Sequence, residues 1–90
     1  MTFNEYISKN KIDIMFEDYD NDRLFVQVYK NKQDMFVAFG MCEFINYMDW
    51  FYDTKVEFDE RDSRRGYVIS NLTKKEITQA IQMFMYEYKF

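Results

Sequence analysis

The sequence has no histidine and no proline, only two glycines (Gly40 and Gly66) and a single cysteine, Cys42. Without histidine, the chain lacks the usual proton-transfer base near neutral pH and the commonest metal ligand. One cysteine cannot close an intramolecular disulfide, which fits a reducing compartment. So little glycine and proline leaves no stretch with linker composition and no glycine-rich phosphate loop. There is no run of about 18 apolar residues and no basic-then-apolar leader, so nothing is expected to span or leave through a membrane. The expected location is the cytoplasm.

The same absences remove most catalytic constellations. Cys42 and the serines have no histidine to activate them, and Cys42 reads as a small packing residue. Asp18, Asp20 and Asp22 alternate like the start of a calcium loop, but Arg23 stands where glycine is required and Tyr29 where the bidentate glutamate belongs. Paired carboxylates of the glycosidase kind would need a cleft that so short a chain has little room to build. Arg64-Arg65 before Gly66 is the one compact basic feature, and it reads as a solvated turn balancing Glu60 and Asp62. We expect no enzyme, no metal and no cofactor.

What the chain does have is aromatic side chains and carboxylates. Ten Phe and eight Tyr in 90 residues supply enough large apolar surface for a genuine core, in a single domain over 1–90. The net charge of −4 is unevenly spread. Asp13 to Asp62 carries thirteen carboxylates against five cations, a local −8, while the flanks are weakly basic. An acidic middle argues against direct binding to nucleic acid and favours a basic partner. The plainer alternative is that these carboxylates only keep an aromatic-rich domain in solution.

Periodicity orders the elements. Thr2 and Glu5 have capping-box spacing for a first helix, with Phe3 and Ile7 as its core contacts. Ile12, Ile14 and Phe16 alternate with Asp13, Met15 and Glu17, the pattern of a half-buried strand. Leu24, Val26 and Val28 repeat it after the turn residues Asp20-Asn21-Asp22. Met35–Phe39 reads as a third strand, with Gly40 marking the passage to a helix over Met41–Asp53. Lys55–Asp59 and Gly66–Asn71 form a second strand pair, Val56 and Phe58 facing Tyr67 and Ile69, around a charged loop at Glu60–Arg65. Thr73 and Glu76 cap a last helix with a core stripe of Ile77, Ala80, Ile81, Phe84, Met85 and Tyr88. The predicted class is α+β: a small antiparallel sheet of about five strands, order α-β-β-β-α-β-β-α, with helices on one face.

The Met41–Asp53 helix is the first place to look for binding. Met41, Phe44, Ile45, Met48, Phe51 and Tyr52 form one apolar stripe. Trp50 points the other way, grouped with Glu43, Asn46, Tyr47 and Asp53. Carboxylates two apart on a strand, such as Glu57 and Asp59, sit about 6.8 Å apart, and those one turn apart on a helix about 5–6 Å. Both spacings are on the scale of successive phosphates along a nucleic-acid strand. Glu43, Tyr47, Trp50, Asp53, Glu57, Asp59, Glu60 and Asp62 are therefore the candidate partner-binding set, with Trp50 and Tyr47 as its desolvated anchors. The competing reading covers Trp50 with another segment of the same chain. Met83, Tyr86 and Phe90 lie on a second side of the last helix and are the candidates for self-association.

In size, charge and its Phe/Tyr/Asn/Lys-rich style, the whole chain resembles small, acidic, cysteine-poor phage-encoded inhibitors, the anti-CRISPR and DNA-mimic class. Those inhibitors share no common motif, so the resemblance assigns no residue. It implies a protein acting in the host cell cytoplasm that blocks a nucleic-acid-processing enzyme by occupying its basic nucleic-acid-binding surface. The alternative function is a homo-oligomeric structural or regulatory small protein.

Overall fold

Two threonines start helices where the spacing predicts. The hydroxyls of Thr2 and Thr73 accept from the amides of Glu5 and Glu76, whose carboxylates accept the threonine amides in return. The computed structural model describes all residues, Met1–Phe90. Its elements are α1 (Phe3–Lys9), β1 (Ile12–Asp20), β2 (Arg23–Lys30), β3 (Gln33–Asp34), α2 (Phe36–Met41), α3 (Phe44–Tyr52), β4 (Val56–Arg61), β5 (Arg64–Ser70) and α4 (Lys74–Glu87). The fold is α+β, with a five-stranded antiparallel sheet in the order β1-β2-β5-β4 and β3 paired to the end of β2. No helix is long and apolar enough to cross a membrane.

The second strand pair forms as expected, with Val56 and Phe58 facing Tyr67 and Ile69, and its register sets Val56 opposite Ile69 and Phe58 opposite Tyr67. Its connection is tighter than the charged loop expected at Glu60–Arg65. Asp62 and Ser63 both adopt positive φ, 50° and 65°, so they close a hairpin turn of their own while their neighbours extend the strands.

Two expectations are corrected in the middle of the chain. Met35–Phe39 is not a strand: β3 ends at Asp34, whose carboxylate accepts the Phe36 amide at 2.9 Å and helps start α2. Met35 and Phe39, one helical turn apart, both reach the core, and Gly40 lies inside this helix rather than before it. Nor is Met41–Asp53 one continuous helix. Phe39 and Phe44 are both buried, with ring centroids 5.0 Å apart. Five residues apart on an unbroken helix, they would point about 140° from one another. The chain resolves this by turning at Cys42 and Glu43, the latter left-handed with φ 58°, and restarting as α3. The restart rotates the buried stripe to Phe44, Tyr47 and Met48, leaving Met41 81% and Phe51 62% exposed.

The helices cover one face of the sheet. Beneath them lie Ile12, Ile14 and Phe16 of β1, Val26 and Val28 of β2, and Tyr67 and Ile69 of β5. Phe84 of α4 packs edge-on against Phe39 and Phe44 at 5.0 and 5.1 Å, and Phe44 also meets Tyr67 at 4.9 Å. Ile77, Ala80, Ile81, Phe84 and Met85 are buried as the stripe predicts, whereas Tyr88 at its end is 46% exposed. On α1 the buried side chain is Tyr6, which the apolar pattern missed; its hydroxyl donates to the Phe90 carbonyl at 2.8 Å.

The opposite face of the sheet also buries two apolar side chains, Phe25 at 1% and Val68 at 2% exposure, outside the main core cluster. Gly66 makes room for Phe25. A Cβ there would stand 2.8 Å from the Phe25 ring and 2.7 Å from the Val26 carbonyl oxygen, closer than any relaxed contact. Gly66→Ala is therefore expected to lose about 1–3 kcal/mol of stability by overpacking. Urea unfolding followed by fluorescence checks this, and an unchanged midpoint would rule out the close approach.

Candidate interaction surfaces

The candidate residues separate into three places. Glu57, Asp59 and Asp62 belong to a polar clasp over Phe25. In a flat sheet, β1 and β4 would stand about 14 Å apart, three strand spacings. Yet Tyr19 of β1 donates its hydroxyl to Asp59 of β4, and Arg61 of β4 donates to the Asp18 carbonyl of β1 at 3.1 Å. These residues are at diagonally opposite corners, which strand twist and coiling bring together over the open face.

Cations and carboxylates then interlock across Phe25. Arg61 and Arg64 meet Glu17 at 3.3 and 2.9 Å, and both guanidiniums lie 5.7 Å from the Phe25 ring centroid. Arg23 pairs with Asp20 and reaches Glu57 at 3.5 Å, while its guanidinium lies 4.9 Å from the Tyr19 ring centroid. The buried Gln27 accepts from Arg64 at 3.2 Å. Arg64, read from the sequence as a solvated turn residue, thus has three partners in this network. Glu57 and Asp59 spend much of their charge within the chain, and Asp62 sits at its exposed edge, 3.8 Å from Arg64. As a regularly spaced phosphate-like row, this part of the predicted set is corrected: Glu57 is shared by Lys55 and Arg23, Asp59 accepts from Tyr19, and Asp62 lies beside Arg64.

The second place is α2–α3. Trp50 is 84% exposed and projects from α3, the orientation expected from the sequence. Tyr47 does not join it. The restart of the helix turns Tyr47 inward to 5% exposure, against Phe84 at 4.9 Å and Phe51 at 4.8 Å, and burial pushes its hydroxyl pKa well above the ordinary value. Tyr47 is thus a core residue and not an anchor. Glu43 and Asp53 bracket α3 at its two ends, both left-handed and both exposed. Together with Asp49 they form no ion pair within the chain. The sequence reading did not pick Asp49, although it precedes Trp50 directly. Around the corner, Val37, Met41 and Phe58 are exposed and rim a shallow apolar depression of about 430 Å³ floored by Phe36 and Tyr67. Burial of the Tyr67 hydroxyl, which donates to the Phe36 carbonyl, pushes its pKa up to about 12.

The third place is the outer side of α4. Tyr86 packs edge-on against Phe3 and Tyr6, and its hydroxyl donates to the Met1 carbonyl at 3.0 Å. Phe90 packs at a tilt against Phe39 and Phe84 at 5.4 and 5.6 Å. Met83, Tyr86 and Phe90 are all half-buried. The N-terminal helix thus occupies much of the surface expected to serve self-association.

The clasp carries a pH signature. The Arg64 hydrogen bond to Glu17, the Arg23 hydrogen bond to Asp20 and the Tyr19 hydrogen bond to Asp59 each hold a carboxyl below its ordinary pKa. Such groups contribute stability above their unfolded values, near pH 4, and lose it as pH falls through the lower folded values. Urea midpoints of the wild type and Glu17→Gln are expected to differ at pH 7 and to converge on acidification below about pH 4. A gap that persists at low pH would mean that Glu17 acts through packing and not charge. No family model, curated protein or solved structure matches this chain, so its own side chains carry the functional reading.

Proposed function

We propose that the protein is a non-enzymatic inhibitor that binds a basic surface of a nucleic-acid-processing protein, of the CRISPR effector kind, and denies that surface to nucleic acid. The observation that carries this reading is Trp50, 84% exposed on a helix whose carboxylates Glu43, Asp49 and Asp53 have no cation partner of their own. A large apolar ring beside unpaired carboxylates suits an interface in which the ring is desolvated and the acids steer and orient. The contact surface is narrower than the acidic composition suggests. It centres on α3 and excludes the clasp, where carboxylates already have partners within the chain.

Three outcomes follow. Trp50→Ala should leave thermal stability almost unchanged, since little apolar area is uncovered, while weakening inhibitor binding by about 2 kcal/mol or more. Charge reversal at Asp49 or Asp53 should slow association and flatten its salt dependence. Alone, the protein should not retard DNA or RNA at physiological salt. Target-DNA binding by a panel of purified CRISPR effector complexes, measured with and without the protein, checks the class of partner. Failure to inhibit any of them would overturn the CRISPR assignment, and a large drop in melting temperature for Trp50→Ala would remove the anchor role.

A further inference from the structure

The sheet ends on β4, and no backbone hydrogen bond from elsewhere in the chain reaches the outer edge of this strand. The turn at Asp62-Ser63 fixes which of its backbone groups are free. In an antiparallel hairpin closed by two residues, the pair flanking the turn exchanges both ladder bonds and the pattern then alternates. Arg61, Asp59 and Glu57 therefore bond to β5, and Val56, Phe58 and Glu60 direct their N–H and C=O groups outward. The Glu60 amide is consistent with this, because it donates to the Asp59 side chain at 2.8 Å instead of to a strand.

The side chains beside this edge define what fits it. Phe58 is 69% exposed and forms one wall of the apolar depression, with Val37 and Met41 opposite. Glu60 lies two residues further along the same face and has no ion-pair partner. A second copy is a poor occupant. Antiparallel self-pairing centred on Glu57, Phe58 or Asp59 sets Thr54, Val56 or Phe58 opposite Glu60, never a cation, and the first two registers also oppose Glu57 to Glu57 or to Asp59. Like charges directly opposite destabilise a strand pair.

We propose that β4 accepts an extended segment of a partner protein as an added strand. That segment places an apolar side chain in the depression beside Phe58 and a lysine or arginine opposite Glu60. Main-chain hydrogen bonds supply affinity, and the alternate side chains supply selectivity. This site is separate from the Trp50 surface and stands or falls without it.

The test titrates isotope-labelled protein with a short end-blocked synthetic peptide alternating valine and lysine, read by amide chemical shifts. Three controls accompany it: the same peptide with glutamate for lysine, the same peptide with a central proline, and a protein-only dilution series. Shifts are expected on Val56–Arg61 and on α2, with binding at least about tenfold weaker for each control peptide. Glu60→Pro, at an edge position whose amide is outside the ladder, should keep the fold and abolish the shifts. Phe58→Lys should also abolish them, and Trp50→Ala should leave them intact. Equal binding by the proline peptide, shifts confined to the clasp or to α3, no binding at millimolar peptide, or dimerisation through β4 without peptide would each overturn the proposal.

Discussion

Phe39 and Phe44 must both enter the same core, and five residues of continuous helix cannot place them there. The break at Cys42-Glu43 satisfies that constraint, and the surrounding structure follows from it. It lets Phe39, Phe44, Tyr67 and Phe84 meet at ring distances of 4.9 to 6.3 Å. Rings at such separations gain beyond the area they bury. The same break sets the rotation of α3, so that Tyr47 turns inward and Met41, Trp50 and Phe51 turn outward. The exposed apolar surface is thus a consequence of how the core is filled. Glu43 holds a left-handed conformation to make the turn, one that costs a non-glycine residue about 1 kcal/mol or more. Burial of two phenylalanines offsets it.

The second organising feature is the coiling of the sheet. One face carries the helices and the main core. The other curls until corners of β1 and β4 touch, and Phe25 is sealed beneath guanidinium groups and carboxylates. Arginine suits this role because its planar head covers an aromatic ring while its edge binds carboxylates. The consequence for function is electrostatic. A chain with a strongly acidic middle does not present a uniformly acidic surface, since several of its carboxylates are answered by Arg23, Arg61 and Arg64. Among those without an ion pair are Glu43, Asp49 and Asp53 at α3, beside the exposed Trp50, and Glu60 on the edge of β4. Those are the places where a partner's cations would find negative charge.

These two features leave the molecule with two different exposed surfaces, the ones on which the proposed contacts rest. The α3 surface offers a rigid aromatic side chain on a helix, suited to a preformed face on the partner. The β4 edge offers free backbone groups beside an apolar depression, suited to an extended segment. They differ in what each demands of the other molecule, shape and charge in one case and a free main chain in the other.

Local pattern determined a good deal by itself. The capping boxes at Thr2 and Thr73, the alternation of β1 and β2, the pairing of Val56 and Phe58 with Tyr67 and Ile69, and the stripe of α4 follow from contacts within a few residues or across one hairpin. The direction of Trp50 follows too, away from Met48 and the stripe, but that no other segment covers it is a result of the tertiary structure. Tertiary structure decided the rest. The apolar run Met35–Met48 fits strand, helix or broken helix equally well, and only the need to seat Phe39 and Phe44 against Tyr67 and Phe84 selects the break. Tyr47 and Met41 exchanged places for that reason. The arginine partners of Glu17, Glu57 and Asp62 were equally hidden, since charge counted along the chain cannot show which strands a coiled sheet brings face to face.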